Sequence, residues 1–153
     1  MKREIANLRQ IGVVHSPYGE LQDTPFQGKH ANDESTLEVF DDYELGLLDV
    51  DHCSHLIVLY WQHRADRSIL QCRTPWGPEI HGVFATRSPN RPNPIGLCVV
   101  HLLERRGRFL RVRSMDAIDG SPLIDIKPYS SEVDCVQGAS IGWHKKADLK
   151  PEQ

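Results

Sequence analysis

Several things are scarce in this chain, and each scarcity removes a class of reading. Four cysteines, Cys53, Cys72, Cys98 and Cys135, stand singly in 153 residues, with no C-x-x-C pair. A disulfide framework and a structural zinc site are both disfavoured. A chain of this length buries roughly 68–70% of its unfolded surface without such staples. Neighbouring His52, Cys53 and His55 offer ligand atoms, but adjacent strand residues point to opposite faces, so no metal is expected. Long apolar runs are missing too: none approaches the ~18 residues of a membrane span. The opening MKREIANLRQ lacks the apolar core of a signal peptide. No membrane partner is therefore expected, and a cytoplasmic location is the default. Basic charge is not in excess, since the net charge is −3. That argues against a strong nonspecific nucleic-acid binder but leaves room for a local patch. No Gly-x-Gly-x-x-Gly follows a strand pattern, so nothing points to a doubly wound dinucleotide fold. Repeats, linkers and low-complexity segments are absent, and one domain spanning 1–153 is the natural division.

What the chain does contain is a series of short strand patterns between Gly- and Pro-rich breaks. Gln10 to Ser16 reads as a strand closed by Pro17. Thr36 to Phe40 alternates, and Asp41-Asp42 precede a short, weak helical pattern from Tyr43 to Leu48. Leu56 to Trp61 is a continuous apolar run, as expected of a strand buried on both faces. Asp66 to Ile80 reads mainly as loop, with one helical turn at Ser68 to Cys72. Ile95 to Leu103 and Phe109 to Met115 read as paired strands about a turn at Gly107. Asp119-Gly120-Ser121-Pro122 signals a further turn before the short apolar run Leu123 to Ile126. Residues 145–153 read as a frayed tail. Many short strands and few helices predict an all-β fold, a compact barrel or a sandwich with long loops.

One stretch organises the rest. GVFATRSPNRPNPIG, Gly82 to Gly96, runs from an apolar segment through Pro89, Pro92 and Pro94 into another apolar segment. Each proline fixes φ and biases the residue before it towards extended geometry, so helix is excluded from Ser88 to Pro94. Arg87 and Arg91 supply planar donor forks, and Asn90 and Asn93 supply both donors and acceptors. Stiff backbone with convergent polar groups suits a preformed small-molecule site, and equally an ordinary proline-rich surface loop. Arg105, Arg106, Arg108, Arg111 and Arg113 form a second cluster. It reads as charge protecting a solvated edge strand, or as a nucleic-acid patch.

The signature resembles that of the TsaA-like family of S-adenosylmethionine-dependent tRNA methyltransferases. So do IGVVHSPYGE near the start, PFQG at Pro25 to Gly28, SHLIVLYWQHRA at Ser54 to Ala65, and MDAIDGSPLIDIKPY at Met115 to Tyr129. The resemblance implies a compact β-barrel, a homodimer with the cofactor site near the subunit interface, and tRNA as partner. It implies S-adenosylmethionine contacts from Pro25, Phe26, Gln27, His63, Arg64, Arg87, Leu97, Cys98, Ile118, Asp119, Gly120 and Ser121. Two positions depart from the pattern: many relatives carry Arg where Phe26 stands, and often Ser where Cys98 stands. Substrate contacts are expected from Arg91 and Asn93.

The family's reaction adds a methyl group to N6 of threonylcarbamoyladenosine, beside the anticodon at position 37 of tRNA. That nitrogen lies between a purine and a carbonyl and is a poor nucleophile, so removal of its proton helps. Asp125, beside Lys127 and Tyr129, is the candidate for proton handling; a structural ion pair is the other reading of Asp125 with Lys127. Three functions stay open at this point: tRNA methylation, methylation of another acceptor, and noncatalytic binding of S-adenosylmethionine.

Overall fold

The computed structural model describes residues 3, 6–25 and 32–144, and they form two compact units. The first comprises the chain up to Arg64 together with Pro94–Tyr129. It contains β1 (Gly12–His15), β2 (Glu34–Val39), β3 (His55–Trp61), β6 (Ile95–Arg106), β7 (Phe109–Arg113) and β8 (Pro122–Pro128). These strands close into an antiparallel barrel in the order β1-β2-β7-β6-β3-β8, with β8 returning to β1. The all-β expectation is met, and the architecture is the barrel.

Period-two alternation explains the barrel directly. Along β6, Gly96, Cys98, Val100 and Leu102 point inward, while Ile95, Leu97, Val99 and His101 point outward. Val14, Leu37, Val39, Leu56, Val58, Leu110, Val112 and Leu123 complete the interior, each at most 1% exposed. Burying each such side chain contributes about 1.5–3 kcal/mol. β3 departs from its sequence reading: only Leu56, Val58 and Tyr60 are buried, and Ile57, Leu59 and Trp61 are partly exposed. Its uninterrupted apolar run conceals an inside and an outside.

The arginine-rich strand is not an edge strand, because β7 lies between β2 and β6. Its arginines are matched by acids. Arg111 and Arg113 pair with Glu34, Arg106 and Arg111 with Glu104, Arg108 with Glu38 and Asp41, and Arg105 with Asp51. The short helix expected at Tyr43 to Leu48 is a 3-10 segment, Asp41–Leu47, without a side-chain cap.

The second unit comprises Ala65–Asn93 and the chain from Ser130. Here β4 (Gln71–Thr74) and β5 (Gly77–Gly82) form an antiparallel hairpin where the sequence reading placed loop and a helical turn. Pro75 and Trp76 make the reversal, and strands of four and six residues with Pro78 inside the second are too short and irregular to announce themselves by alternation. The apolar Val83–Ala85 that follows is a 3-10 turn. A single α-helical turn, α1 (Ser131–Asp134), lies later in the unit. Trp143 donates Nε1–H to the Ala85 carbonyl at 3.2 Å and stacks on His81 at 4.1 Å. Among the described residues no helix is long and apolar enough to cross a membrane.

Candidate functional site

Neighbouring strands run antiparallel all round the barrel. The C-terminal ends of β1, β3 and β7 therefore share one rim with the N-terminal ends of β2, β6 and β8. Most of the family-like blocks of the first unit meet there: the segment after β1, His63 and Arg64 after β3, Leu97 and Cys98 near the start of β6, and Ile118 to Ser121 before β8.

The segment from Ser114 to Ser121 crosses this barrel mouth and is tied down from several sides. Cys98 Sγ donates to the Ser114 carbonyl at 3.0 Å, and Ser114 itself has φ of 74°. Ser16 Oγ donates to the Ala117 carbonyl at 2.7 Å, and Ser16 N–H donates to Asp119 Oδ1 at 3.0 Å. Asp119 N–H donates to the Tyr18 carbonyl and Gly120 N–H to the Val14 carbonyl, each at 2.8 Å. Ser121 Oγ donates to the Ile118 carbonyl at 2.6 Å. Gly120 takes φ of 83°, the left-handed region that glycine occupies without penalty. Asp119 and Ser121 thus shape the turn, and Ile118 is buried beneath it.

Under the segment stands Tyr60, 4% exposed, its hydroxyl donating to Asp116 Oδ1 at 2.7 Å. Gly96 makes room for its ring: a Cβ there would lie 2.3 Å from Tyr60 Cζ. Burial, then the negative charge of Asp116, push the Tyr60 phenol far above its ordinary range. Tyr18 donates its hydroxyl to Asp33 at 3.0 Å. Its phenol is pushed up to about 12, chiefly by burial and then by Asp33 and Asp116. Tyr18, Tyr60 and Asp116 were not singled out by sequence reasoning. A phenol within an apolar strand run was the available signal, since a buried hydroxyl needs a partner.

The expected residues are placed as follows. Pro25 is half-buried, while Phe26 and Gln27 lie outside the described residues. His63 and Arg64 are exposed, and Arg64 pairs with Glu20 at 2.9 Å. Leu97 faces outward and Cys98 inward, so their side chains lie on opposite sides of the barrel wall. Asp125 and Lys127 form an ion pair at 3.1 Å on β8. Lys127 is six residues beyond Ser121, or about 20 Å along a strand. Tyr129 lies beyond it, its N–H bonded to His55 at the opposite rim.

In the second unit, Arg87 and Asn93 are exposed. Arg91 is half-buried and donates to the carbonyls of Ser88 (2.9 Å), Thr86 (2.5 Å) and Val83. Arg67 donates to the Pro92 carbonyl at 2.8 Å, and Asn90 Oδ1 accepts from Asp66 N–H at 2.9 Å. The signature loop is thus held by its own polar side chains, with Arg91 at its hub. Among the described residues, no three His, Cys, Asp or Glu side chains gather as metal ligands.

Comparison with known proteins adds an independent line. Residues 13–135 match the model of the tRNA-methyltransferase O N-terminal domain. A "Probable S-adenosyl-L-methionine-binding protein" of Archaeoglobus fulgidus is 51% identical over 144 residues, covering 94% of this chain and 39% of that protein. The "tRNA (adenine(37)-N6)-methyltransferase" of Escherichia coli is 34% identical, covering 90% of this chain and 63% of the enzyme. The crystal structure of TrmO from Pseudomonas aeruginosa superposes with a TM-score of 0.75 at 31% identity, covering 93% of this chain and 64% of that one. The chain thus spans less than two thirds of each of these three proteins. With four fifths of its length inside the domain model and the barrel shared with a solved member, the chain belongs to the tRNA-methyltransferase O N-terminal domain family.

Proposed function

We propose that this chain binds S-adenosylmethionine at the rim bearing Ile118 to Ser121. We further propose that it methylates N6 of threonylcarbamoyladenosine at position 37 of tRNA. The observation that carries the reading is the convergence of separate family-like blocks on one barrel rim. The residues there suit such a ligand. The Gly120 turn lets a ligand approach the backbone closely, with Ile118 packed beneath it as an apolar floor, and Asp116 offers a carboxylate to a cationic ligand. When bound, S-adenosylmethionine supplies a methyl group on a positively charged sulfur. The chain's own work is to hold and orient donor and acceptor, which is most of what an in-line displacement needs. The N6 proton leaves as the N–C bond forms, and Asp125 is proposed to receive it. Loss of turnover in Asp125→Asn with cofactor affinity intact supports that role; normal turnover removes it.

The homodimer is part of the same proposal. Ile95, Leu97 and Val99 are 40, 45 and 37% exposed in a row on β6, in register with Trp61, Leu59 and Ile57 on β3. A continuous apolar sheet face of this kind is a docking surface, and we assign it to a second copy. A second functional reading, cofactor binding without turnover, is favoured by one observation. The arginine cluster on β6 and β7 is neutralised by acids, so it offers little net charge to RNA. Calorimetric titration with S-adenosylmethionine, followed by transfer of its labelled methyl group to bulk tRNA, separates the readings. Binding with transfer supports the enzyme, binding without transfer supports the module, and no binding defeats both.

A further inference from the structure

Asp116 is a charged group at the barrel mouth that none of the residue assignments drawn from the sequence includes. It is half-buried, yet it forms no ion pair among the described residues. Two acids near this rim differ: Glu20 pairs with Arg64, and Glu34 with Arg111 and Arg113. The position of Asp116 is enforced. Tyr60 grips Oδ1 at 2.7 Å, and the Tyr60 ring is locked against Gly96. Its flanking residues Met115 and Ala117 are fully buried, which anchors the backbone on both sides. Burial raises the phenols of Tyr60 and Tyr18, and the charge of Asp116 adds to it, strongly at Tyr60 and least among the causes at Tyr18, so both phenols stay neutral and neither competes as an anion. A rigid, partly desolvated carboxylate without a cation is a costly arrangement unless a ligand supplies the positive charge.

We propose that Asp116, positioned by Tyr60, is a ligand-binding residue that pairs with a positive charge of S-adenosylmethionine. This rests on the cofactor reading above and deepens it. Cys98 and the Ile118–Ser121 turn, both expected to touch the cofactor, lie close by: Cys98 is bonded to Ser114, two residues before Asp116, and the turn begins two residues after it. The ligand carries two cations, the sulfonium and the α-ammonium. S-adenosylhomocysteine keeps only the ammonium, and 5′-methylthioadenosine keeps neither.

The test is equilibrium binding of these three compounds to the wild type, Asp116→Asn and Tyr60→Phe. Asparagine keeps the shape and still accepts from Tyr60 through its carbonyl, so the charge alone is removed. Asp116→Asn is expected to weaken S-adenosylmethionine about tenfold or more, the loss of a charged hydrogen bond or ion pair, and to leave 5′-methylthioadenosine unchanged. S-adenosylhomocysteine then tells which cation is held: unchanged affinity marks the sulfonium, and an equal loss marks the ammonium. Tyr60→Phe is expected to give a smaller loss with the same ligand pattern. Equal weakening of all three compounds assigns Asp116 to packing and overturns the proposal, as does unchanged affinity for S-adenosylmethionine. Wild-type protein that fails to bind S-adenosylmethionine defeats the cofactor reading itself, a different result from either.

Discussion

Replacing Gly96 by alanine probes the packing on which the barrel mouth depends. The new Cβ would sit 2.3 Å from Tyr60 Cζ, with Cε1 and Cε2 at 2.6 and 2.7 Å. Carbon atoms prefer about 3.5–4.0 Å, so the ring must shift by an ångström or more. It has little freedom to do so, being 4% exposed and bonded to Asp116. Overpacking of this kind costs about 1–3 kcal/mol. Disturbing a hydrogen bond to a charged acceptor costs about 1.5–3 kcal/mol more. The two are not independent, because a ring shift relieves one by sacrificing the other. Alanine's lower conformational entropy in a strand returns about 0.5–1 kcal/mol. Roughly 3 kcal/mol remains, and at about 2–4 °C per kcal/mol for a chain of this size the melting temperature falls by about 6–12 °C. Thermal melts followed by circular dichroism read this out. Tyr60→Phe in both backgrounds then forms a double-mutant cycle, and it should cost less when Gly96 is already alanine. A melting temperature within about 2 °C of wild type, or strictly additive costs, would refute the packing argument.

Four further outcomes are expected. Ser35 is buried, and its hydroxyl has no partner among the described residues; Ser35→Ala should raise stability by about 1 kcal/mol, seen as a higher denaturation midpoint. The raised phenols of Tyr18 and Tyr60 bind their protons more tightly in the folded state. Their stabilisation is complete below the ordinary phenol value of about 10 and declines as pH rises from there through 12; Tyr60→Phe should flatten that decline in denaturant titrations. Arg91→Lys cannot reproduce the fork that holds three carbonyls, so limited proteolysis should cut between Val83 and Asn93 faster in the variant. Leu97→Glu places a charge in the apolar row on β6; sedimentation is expected to give a dimer for the wild type under the proposed assignment of that face and a monomer for the variant.

The all-β class was legible because most strands alternate and the turns carry glycine, as at Gly107 and Gly120, while the choice of barrel over sandwich came from the resemblance. The β4–β5 hairpin was not, since its short strands straddle a proline and a tryptophan and show no period. Leu56 to Trp61 read as doubly buried because Ile57, Leu59 and Trp61 are as apolar as the residues that fill the core. Only the structure separates the two sides. The candidate site was legible mainly through resemblance. Nothing in the residues alone announced that Arg91 turns its donors onto its own loop. Nor could spacing reveal that Tyr60 and Asp116, 56 positions apart, share a hydrogen bond. The arginine cluster shows the converse limit: beyond the adjacent Glu104, its partners Glu34, Glu38, Asp41 and Asp51 are remote in sequence, so its near-neutrality appears only once the strands are paired.

The central claim, methyl transfer to a modified tRNA adenosine, is tested most directly with two tRNA pools. One comes from cells that make threonylcarbamoyladenosine, the other from cells that lack it, and each is incubated with the protein and labelled S-adenosylmethionine. The account predicts label in the first pool alone, with mass spectrometry placing the methyl group on N6 of the modified adenosine at position 37. Label in neither pool, from protein that demonstrably binds S-adenosylmethionine, would contradict it.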